Sequence, residues 1–187
     1  MATKIYIDQG HNPVNPNAGS EGNGFREQDL VYTIGQMTAA SLRSYGFDVR
    51  LSRPSPTTQL GTSNTTSLQA RVNDANSWGA DYFISLHTNA SDVTSASGSE
   101  AFVYRRDSDA EYLAENILTQ LNYATGLQNR GVMVRPGLYV LKKTRMPATL
   151  VELGFITNPV DAELMAYSPG LFAAGGSNGV LASFGML

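Results

Sequence analysis

The chain has 187 residues, a formal net charge of −3 at pH 7 and no cysteine. Its length suits one domain with a sizeable core, which we expect to span residues 1–187, and 42% hydrophobic with 16% charged residues is a globular composition. The net charge argues against the basic stripe of a nucleic-acid-binding protein. No apolar run reaches about 18 residues, so we expect no membrane-spanning helix. The lack of cysteine excludes disulfides and thiolate metal sites.

Strands alternate with helices along the chain, with turn-forming residues between them. The predicted elements, in order, are a strand at 4–8, a Gly/Asn/Pro-rich loop at 9–24, a helix at 27–45, a strand at 47–51, a loop at 54–66, a helix at 68–78, a strand ending at His87, a strand at 99–104, a helix at 108–125, two strands at 137–141 and 148–153, and a helical segment at 161–187 interrupted at Pro169-Gly170 and Gly175-Gly176. This alternation predicts an α/β fold in which one mostly parallel sheet is covered by helices on both faces.

The chain has only two histidines, and each lies where a predicted buried strand ends: His11 and His87. Ligands and catalytic groups collect at the carboxyl ends of strands in α/β proteins. Glu27, at the start of the first predicted helix, is a third candidate. Two histidines and one carboxylate, with a fourth position open, form the ligand set of a hydrolytic zinc site, and zinc suits these ligands where no thiolate is available.

Both histidines could equally be hydrogen-bonded structural residues. The sequence lacks the tight His-Glu-x-x-His spacing of a helical zinc site. The residues by themselves therefore leave the metal and the structural interpretations open.

Four blocks of sequence, in this order, resemble the zinc-dependent N-acetylmuramoyl-L-alanine amidases of bacterial cell walls, the type 3 amidases. The blocks are Ile7–His11, Glu27 with the helix after it, Ser67–Asn76 leading to Ile84–Ala90, and Pro147–Asn158. The resemblance runs from the first strand to about residue 160, with a weaker match at Asn129–Val132. Gln9 and Asn12 depart from the family's usual residues, which concerns loop shape and substrate fit more than metal binding.

The resemblance implies that His11, Glu27 and His87 bind one zinc ion per chain and that Glu152 is the catalytic carboxylate. It also implies a twisted, mixed sheet flanked by helices. The implied reaction is hydrolysis of the amide bond between the lactyl group of N-acetylmuramic acid and L-alanine in peptidoglycan. The connection from His87 to Ser99 is too short for the helix that blocks the metal in some relatives, so we expect an unblocked cleft.

The chemistry of amide hydrolysis needs a carboxylate that is free of the metal, to take a proton from water and pass it to the departing amine. Glu152 follows the apolar run Ala148–Val151, where burial would raise its pKa toward this task. Its alternative roles are capping a helix or pairing with an arginine. Asp8, beside His11, is either an acceptor for a metal-binding histidine or a turn former.

Asn89 and Arg130 are candidate contacts to the peptide stem, because arginine suits bidentate recognition of carboxylates. A structural role fits these two residues equally well.

Three functional classes are compatible with these residues: a peptidoglycan amidase, a zinc peptidase or deacylase acting on free muropeptides or related peptides, and a binding protein with an inactive metal site. The presence of all three candidate ligands and Glu152 argues against the third class, whereas only the substrate separates the first two. We expect peptidoglycan as substrate, a monomer, and action at the cell wall outside the cell. The first residues carry no signal-peptide pattern, which favours a phage lysin, an excised catalytic domain or another export route.

Overall fold

The computed structural model describes residues 2–187, and its strands and helices alternate much as the sequence predicts. In chain order the elements are β1 (Lys4–Gln9), β2 (Glu21–Gly22), β3 (Phe25–Arg26), α1 (Glu27–Ser44), β4 (Asp48–Leu51), α2 (Asn64–Trp78), β5 (Tyr82–Asn89), β6 (Ser99–Val103), α3 (Asp109–Thr125), β7 (Asn129–Val134), α4 (Tyr139–Lys143), β8 (Ala148–Phe155), α5 (Pro159–Tyr167) and α6 (Pro169–Ser183).

Six strands form one sheet in the order β4-β1-β5-β8-β6-β7, and β2 with β3 forms a separate antiparallel hairpin that leads into α1. Strands β4, β1, β5 and β8 are parallel, β6 runs antiparallel to β8, and β7 is parallel to β6. The predicted mostly parallel, mixed sheet is therefore confirmed. The carboxyl ends of β1, β5 and β8 lie side by side, which brings His11, His87 and Glu152 to one edge.

The two faces of the sheet are covered unequally. One face packs against α1, α3 and α6 in a large apolar core. The other packs against α2 and α4 in a smaller cluster that includes Phe83 and Leu150. Because alternate residues of a strand share a face, the residues that follow on this second face are polar: His87 on β5 and Glu152 on β8.

The structure differs from the predicted elements at several places. Helix α2 begins at Asn64 instead of 68, because Ser63 caps it in a reciprocal capping box with Thr66. The predicted strand at 137–141 is wrong, since α4 occupies this stretch; a short apolar run does not distinguish a strand from a buried helix. Edge strand β7 was not predicted, because its residues are largely exposed.

The glycines at 175 and 176 do not interrupt α6. A Cβ at Gly175 would lie 2.8 Å from Leu121 Cα, and one at Gly179 would lie 2.3 Å from Ile117 Cα. Gly175 and Gly179 therefore let α6 approach the backbone of α3. The close packing offsets the roughly 1 kcal/mol that each glycine costs a helix.

Candidate metal and catalytic site

His11 lies in the turn after β1 and has a left-handed backbone conformation, with φ of 67°. The buried guanidinium of Arg71, from α2, donates to the carbonyl oxygens of Gln9 and His11, both at 2.6 Å. An arginine beneath the sheet edge thus fixes the unusual backbone that aims the His11 imidazole.

His87 extends from β5 over a position that must be glycine. A Cβ at Gly10 would lie 2.5 Å from His87 Cε1 and 2.7 Å from the carbonyl oxygen of Leu86. The centroids of the His11 and His87 rings are 4.8 Å apart in an edge-on arrangement. Gly10 therefore gives the second imidazole room beside the first.

Glu27 is the first residue of α1, and the β2–β3 hairpin turns it back toward the two histidines. Its Oε1 lies 3.1 Å from His11 Nε2 and 3.0 Å from His87 Nδ1, and it accepts a 3.0 Å hydrogen bond from the Thr88 amide. Its Oε2 accepts from the Ser20 amide at 2.9 Å. Burial alone would raise the pKa of Glu27, but the hydrogen bonds with both histidines lower it well below its usual value.

These three side chains fit a zinc ion. One ligand atom from each of His11, Glu27 and His87 lies within 4.8 Å of the others. The donor set of two imidazoles and an ionised carboxylate suits zinc, and His11 Nδ1 is buried without a hydrogen-bond partner. The structure therefore groups all three predicted ligands as a candidate metal site.

Glu152 lies next to this cluster, in register with His87 on the neighbouring parallel strand. Burial, together with the negative charges of Glu27 and Glu100, raises its pKa from 4.5 to about 8. Its Oε2 is buried and has no hydrogen-bond partner. Glu152 neither caps a helix nor pairs with an arginine among the described ion pairs, so the environment suits a proton-transferring group.

Asn89 and Arg130 both contact one residue that sequence reasoning missed, Glu100 on β6. Asn89 Nδ2 donates to Glu100 Oε1 at 2.7 Å, and Arg130 Nε donates to Glu100 Oε2 at 2.9 Å. Glu100 is in register with Glu152 across the antiparallel pair of strands. An acid directly before the apolar run Ala101-Phe102-Val103 of a predicted strand is the signal that could have revealed it.

Asp8 bonds to neither histidine. It pairs with Arg71 at 2.6 Å and accepts from the hydroxyl of Ser85 at 2.7 Å, and these contacts lower its pKa although burial opposes them. Asp8 therefore anchors the arginine that holds the His11 turn, a role that neither predicted alternative describes.

An α/β sheet that carries a His-Glu-His cluster beside a carboxylate of raised pKa defines a protein with a candidate metal-hydrolase site. Residues 5–180 match the family described as N-acetylmuramoyl-L-alanine amidase, Amidase_3, and the chain belongs to this family. The resemblance seen in the sequence is thereby confirmed.

Two curated relatives are amidases of bacilli. The chain is 38% identical over 160 residues to N-acetylmuramoyl-L-alanine amidase LytC of Bacillus subtilis, covering 84% of this chain and 30% of LytC. It is 34% identical over 196 residues to N-acetylmuramoyl-L-alanine amidase CwlM of Bacillus licheniformis, covering 98% of this chain and 69% of CwlM. The chain thus spans under a third of LytC and about two thirds of CwlM.

A solved structure shares the whole fold. The CwlD amidase of Clostridioides difficile, solved in complex with the GerS lipoprotein, superposes with a TM-score of 0.90 over 99% of this chain and 100% of that one, at 22% identity. This likeness confirms the predicted fold class. Within residues 2–187, no helix has the length and apolar character needed to cross a bilayer.

Proposed function

We propose that this chain is a zinc-dependent N-acetylmuramoyl-L-alanine amidase that cleaves the lactyl–L-alanine amide bond of peptidoglycan. The observation that carries the proposal is the convergence of His11, Glu27 and His87 beside Glu152, a carboxylate with a pKa raised to about 8. Membership of the amidase family supports the choice of substrate.

His11, Glu27 and His87 would hold the ion. Zinc bound there would supply Lewis-acid polarisation of the amide carbonyl and a lowered pKa for water. Glu27 stays ionised because two backbone amides and two imidazoles surround its oxygens, so it suits a ligand and not a proton carrier.

Glu152 would move the proton. As a base it accepts a proton from the attacking water, and as an acid it returns that proton to the nitrogen of L-alanine as the C–N bond breaks. Burial and two nearby acids raise the pKa of Glu152 from its usual value toward neutral pH, the range in which both halves of this transfer are efficient.

Asn89 on β5 and Arg130 on β7 would contact the peptide stem from either side of the strand that carries Glu152. We further propose that the chain acts as a single-domain monomer at the cell wall, since the candidate metal ligands and Glu152 all come from one chain, at one edge of its sheet and the start of α1.

The test is mass spectrometry of purified peptidoglycan digested with the zinc-loaded protein. We expect stem peptides with a free L-alanine N-terminus, and none with Glu152→Gln at equal zinc content. Cleavage of soluble muropeptides without cleavage of intact wall would favour the alternative, a zinc peptidase or deacylase on free muropeptides. No product from either substrate would contradict the proposal.

A further inference from the structure

The candidate catalytic groups belong to a longer row of polar side chains on one face of the sheet. His87 on β5 is the register partner of Glu152 on β8, and Glu152 is in turn the partner of Glu100 on β6. Directly opposed residues project to the same face with Cβ atoms about 5 Å apart. Arg130 on β7 extends the row by its 2.9 Å bond to Glu100.

Arg130 is held on three sides. Glu100 accepts from its Nε, and its guanidinium carbon lies 5.1 Å from the centre of the Phe155 ring. A Cβ at Gly98 would approach its side-chain carbons to 3.1 Å, so glycine leaves room for the chain of the arginine. An exposed ion pair usually leaves both side chains mobile, whereas these three contacts hold Arg130 in one orientation.

The outer edge of the guanidinium stays available. Nη1 has one long contact, 3.3 Å to the carbonyl oxygen of Ser97, and Nη2 has no partner among residues 2–187. The Arg130 side chain is 36% exposed, whereas the Glu100 side chain is only 9% exposed. The buried Glu100 therefore orients a partly exposed guanidinium on Arg130. Two N–H donors side by side on a guanidinium match the two oxygens of a carboxylate.

We propose that Arg130 is a recognition site for a carboxylate of the peptide stem and that Glu100 is the residue that positions it. This inference rests on the proposed function and names a feature of its substrate. Two strand spacings of about 4.8 Å place Arg130 roughly 10 Å from Glu152. An extended peptide advances about 3.3–3.6 Å per residue, so the carboxylate belongs to the second or third residue beyond the scissile amide.

Glu100 acts through its two partners. Its carboxylate uses one oxygen for Asn89 and the other for Arg130, so one buried side chain aligns both predicted substrate contacts. Removing its charge should loosen Arg130 without removing any group that touches the scissile bond. The expected effect is therefore on the KM difference between substrates with and without the carboxylate, because any change in kcat through the pKa of Glu152, which the charge of Glu100 helps to raise, is common to both.

The experiment compares N-acetylmuramoyl-tripeptide with its stem carboxylates free and with the same carboxylates amidated, using the zinc-loaded protein. We expect a KM about tenfold lower for the free form, the value of one charge-assisted contact. Arg130→Gln should erase this difference at similar kcat, and Glu100→Gln should reduce it. Glu111→Gln, which breaks an ion pair with Arg106 outside the row, is the matched control and should leave it intact.

A double variant decides whether Glu100 works through Arg130. If it does, Glu100→Gln with Arg130→Gln should show the same ratio of KM values for the free and amidated probes as Arg130→Gln alone, because a loss through Asn89 affects both probes. A different ratio in these two variants, or an undiminished preference in Arg130→Gln, would overturn the inference. If Glu100→Gln does not fold, Arg130→Lys decides: it keeps the charge but not the fork and should lose most of the preference.

Binding separates this inference from the proposed function. Calorimetry with the slow variant Glu152→Gln needs no turnover and should show the same preference for the free carboxylate. A wild-type protein that cleaves neither intact peptidoglycan nor either probe would contradict the amidase proposal. An Arg130-dependent preference in binding would still support the carboxylate site, and equal binding of both probes would refute it.

Discussion

Replacing Glu152 by glutamine is expected to raise the unfolding free energy of the metal-free protein at pH 8. The same substitution should abolish turnover by the zinc-loaded protein. Folding raises the carboxyl pKa from 4.5 to about 8, because the group is buried near two other acids. The folded chain therefore keeps a proton that the unfolded chain releases between these pH values, and wild-type stability falls as pH rises through that window. Glutamine has no such proton to lose.

The size of the effect follows from the same pKa values. At about 1.4 kcal/mol per pH unit, the full change would be about 5 kcal/mol of unfolding free energy. Because the Glu152 side chain keeps part of its surface in water, we expect about 2–3 kcal/mol at pH 8 and less than about 1 kcal/mol at pH 5.

Urea unfolding of chelator-treated wild type and Glu152→Gln, followed by circular dichroism at both pH values, measures this difference. Added zinc should reduce the difference in unfolding free energy between the two proteins, because a nearby cation favours the ionised carboxylate of Glu152. Equal stability of the two proteins at pH 8, or a more stable wild type, would refute the unfavourable environment on which the assignment of Glu152 as the base depends.

Other substitutions test the supports of the site and of the fold. Asp8→Asn should lower the unfolding free energy by about 3–5 kcal/mol in urea titrations, because it leaves its buried arginine partner unpaired; a loss under about 1 kcal/mol would contradict this. Gly10→Ala should weaken zinc binding by about tenfold or more in a chelator competition, because the new methyl group displaces His87, whereas Gly137→Ala, which meets no atom within 4 Å, should not. Gly179→Ala should cost about 1–3 kcal/mol in thermal unfolding at unchanged zinc content, and an unchanged melting temperature would argue against the close packing of α6 on α3.

Much of the site was predictable because strand ends carry chemistry. Each histidine follows a run of buried residues, and parallel pairing of β1 with β5 brings their ends together. Glu27 was different: it stands 16 positions after His11 in the sequence, and before the resemblance only its residue type and its place at the start of a predicted helix suggested it. The β2–β3 hairpin that returns Glu27 to the histidines is two residues per strand, too short to leave a periodic pattern.

The errors arose where tertiary contacts decide the outcome. The apolar run 137–141 fits a strand or a helix, and packing of Val140 and Leu141 in the cluster beneath α2 selects the helix. Asn89 and Arg130 were suspected by residue type as substrate contacts, but their common partner Glu100 lies on another strand, 11 and 30 positions away from them in sequence. Pairings of this kind leave no local signature.

The carboxylates of Glu27 and Glu152 have environments that shift their pKa in opposite directions, and this difference supports the roles proposed for them. Each oxygen of Glu27 accepts a backbone amide, and one also contacts both imidazoles, so its charge is stabilised and its pKa is low. Glu152 has a buried oxygen without a partner and two acids nearby, so its charge is opposed and its pKa is raised. A metal ligand must stay ionised, whereas a proton carrier must alternate between forms near neutral pH. The unequal environments therefore support the proposed roles, Glu27 as the ligand and Glu152 as the base, and exchanging these roles would require the hydrogen bonds to Glu27 to be rebuilt around Glu152.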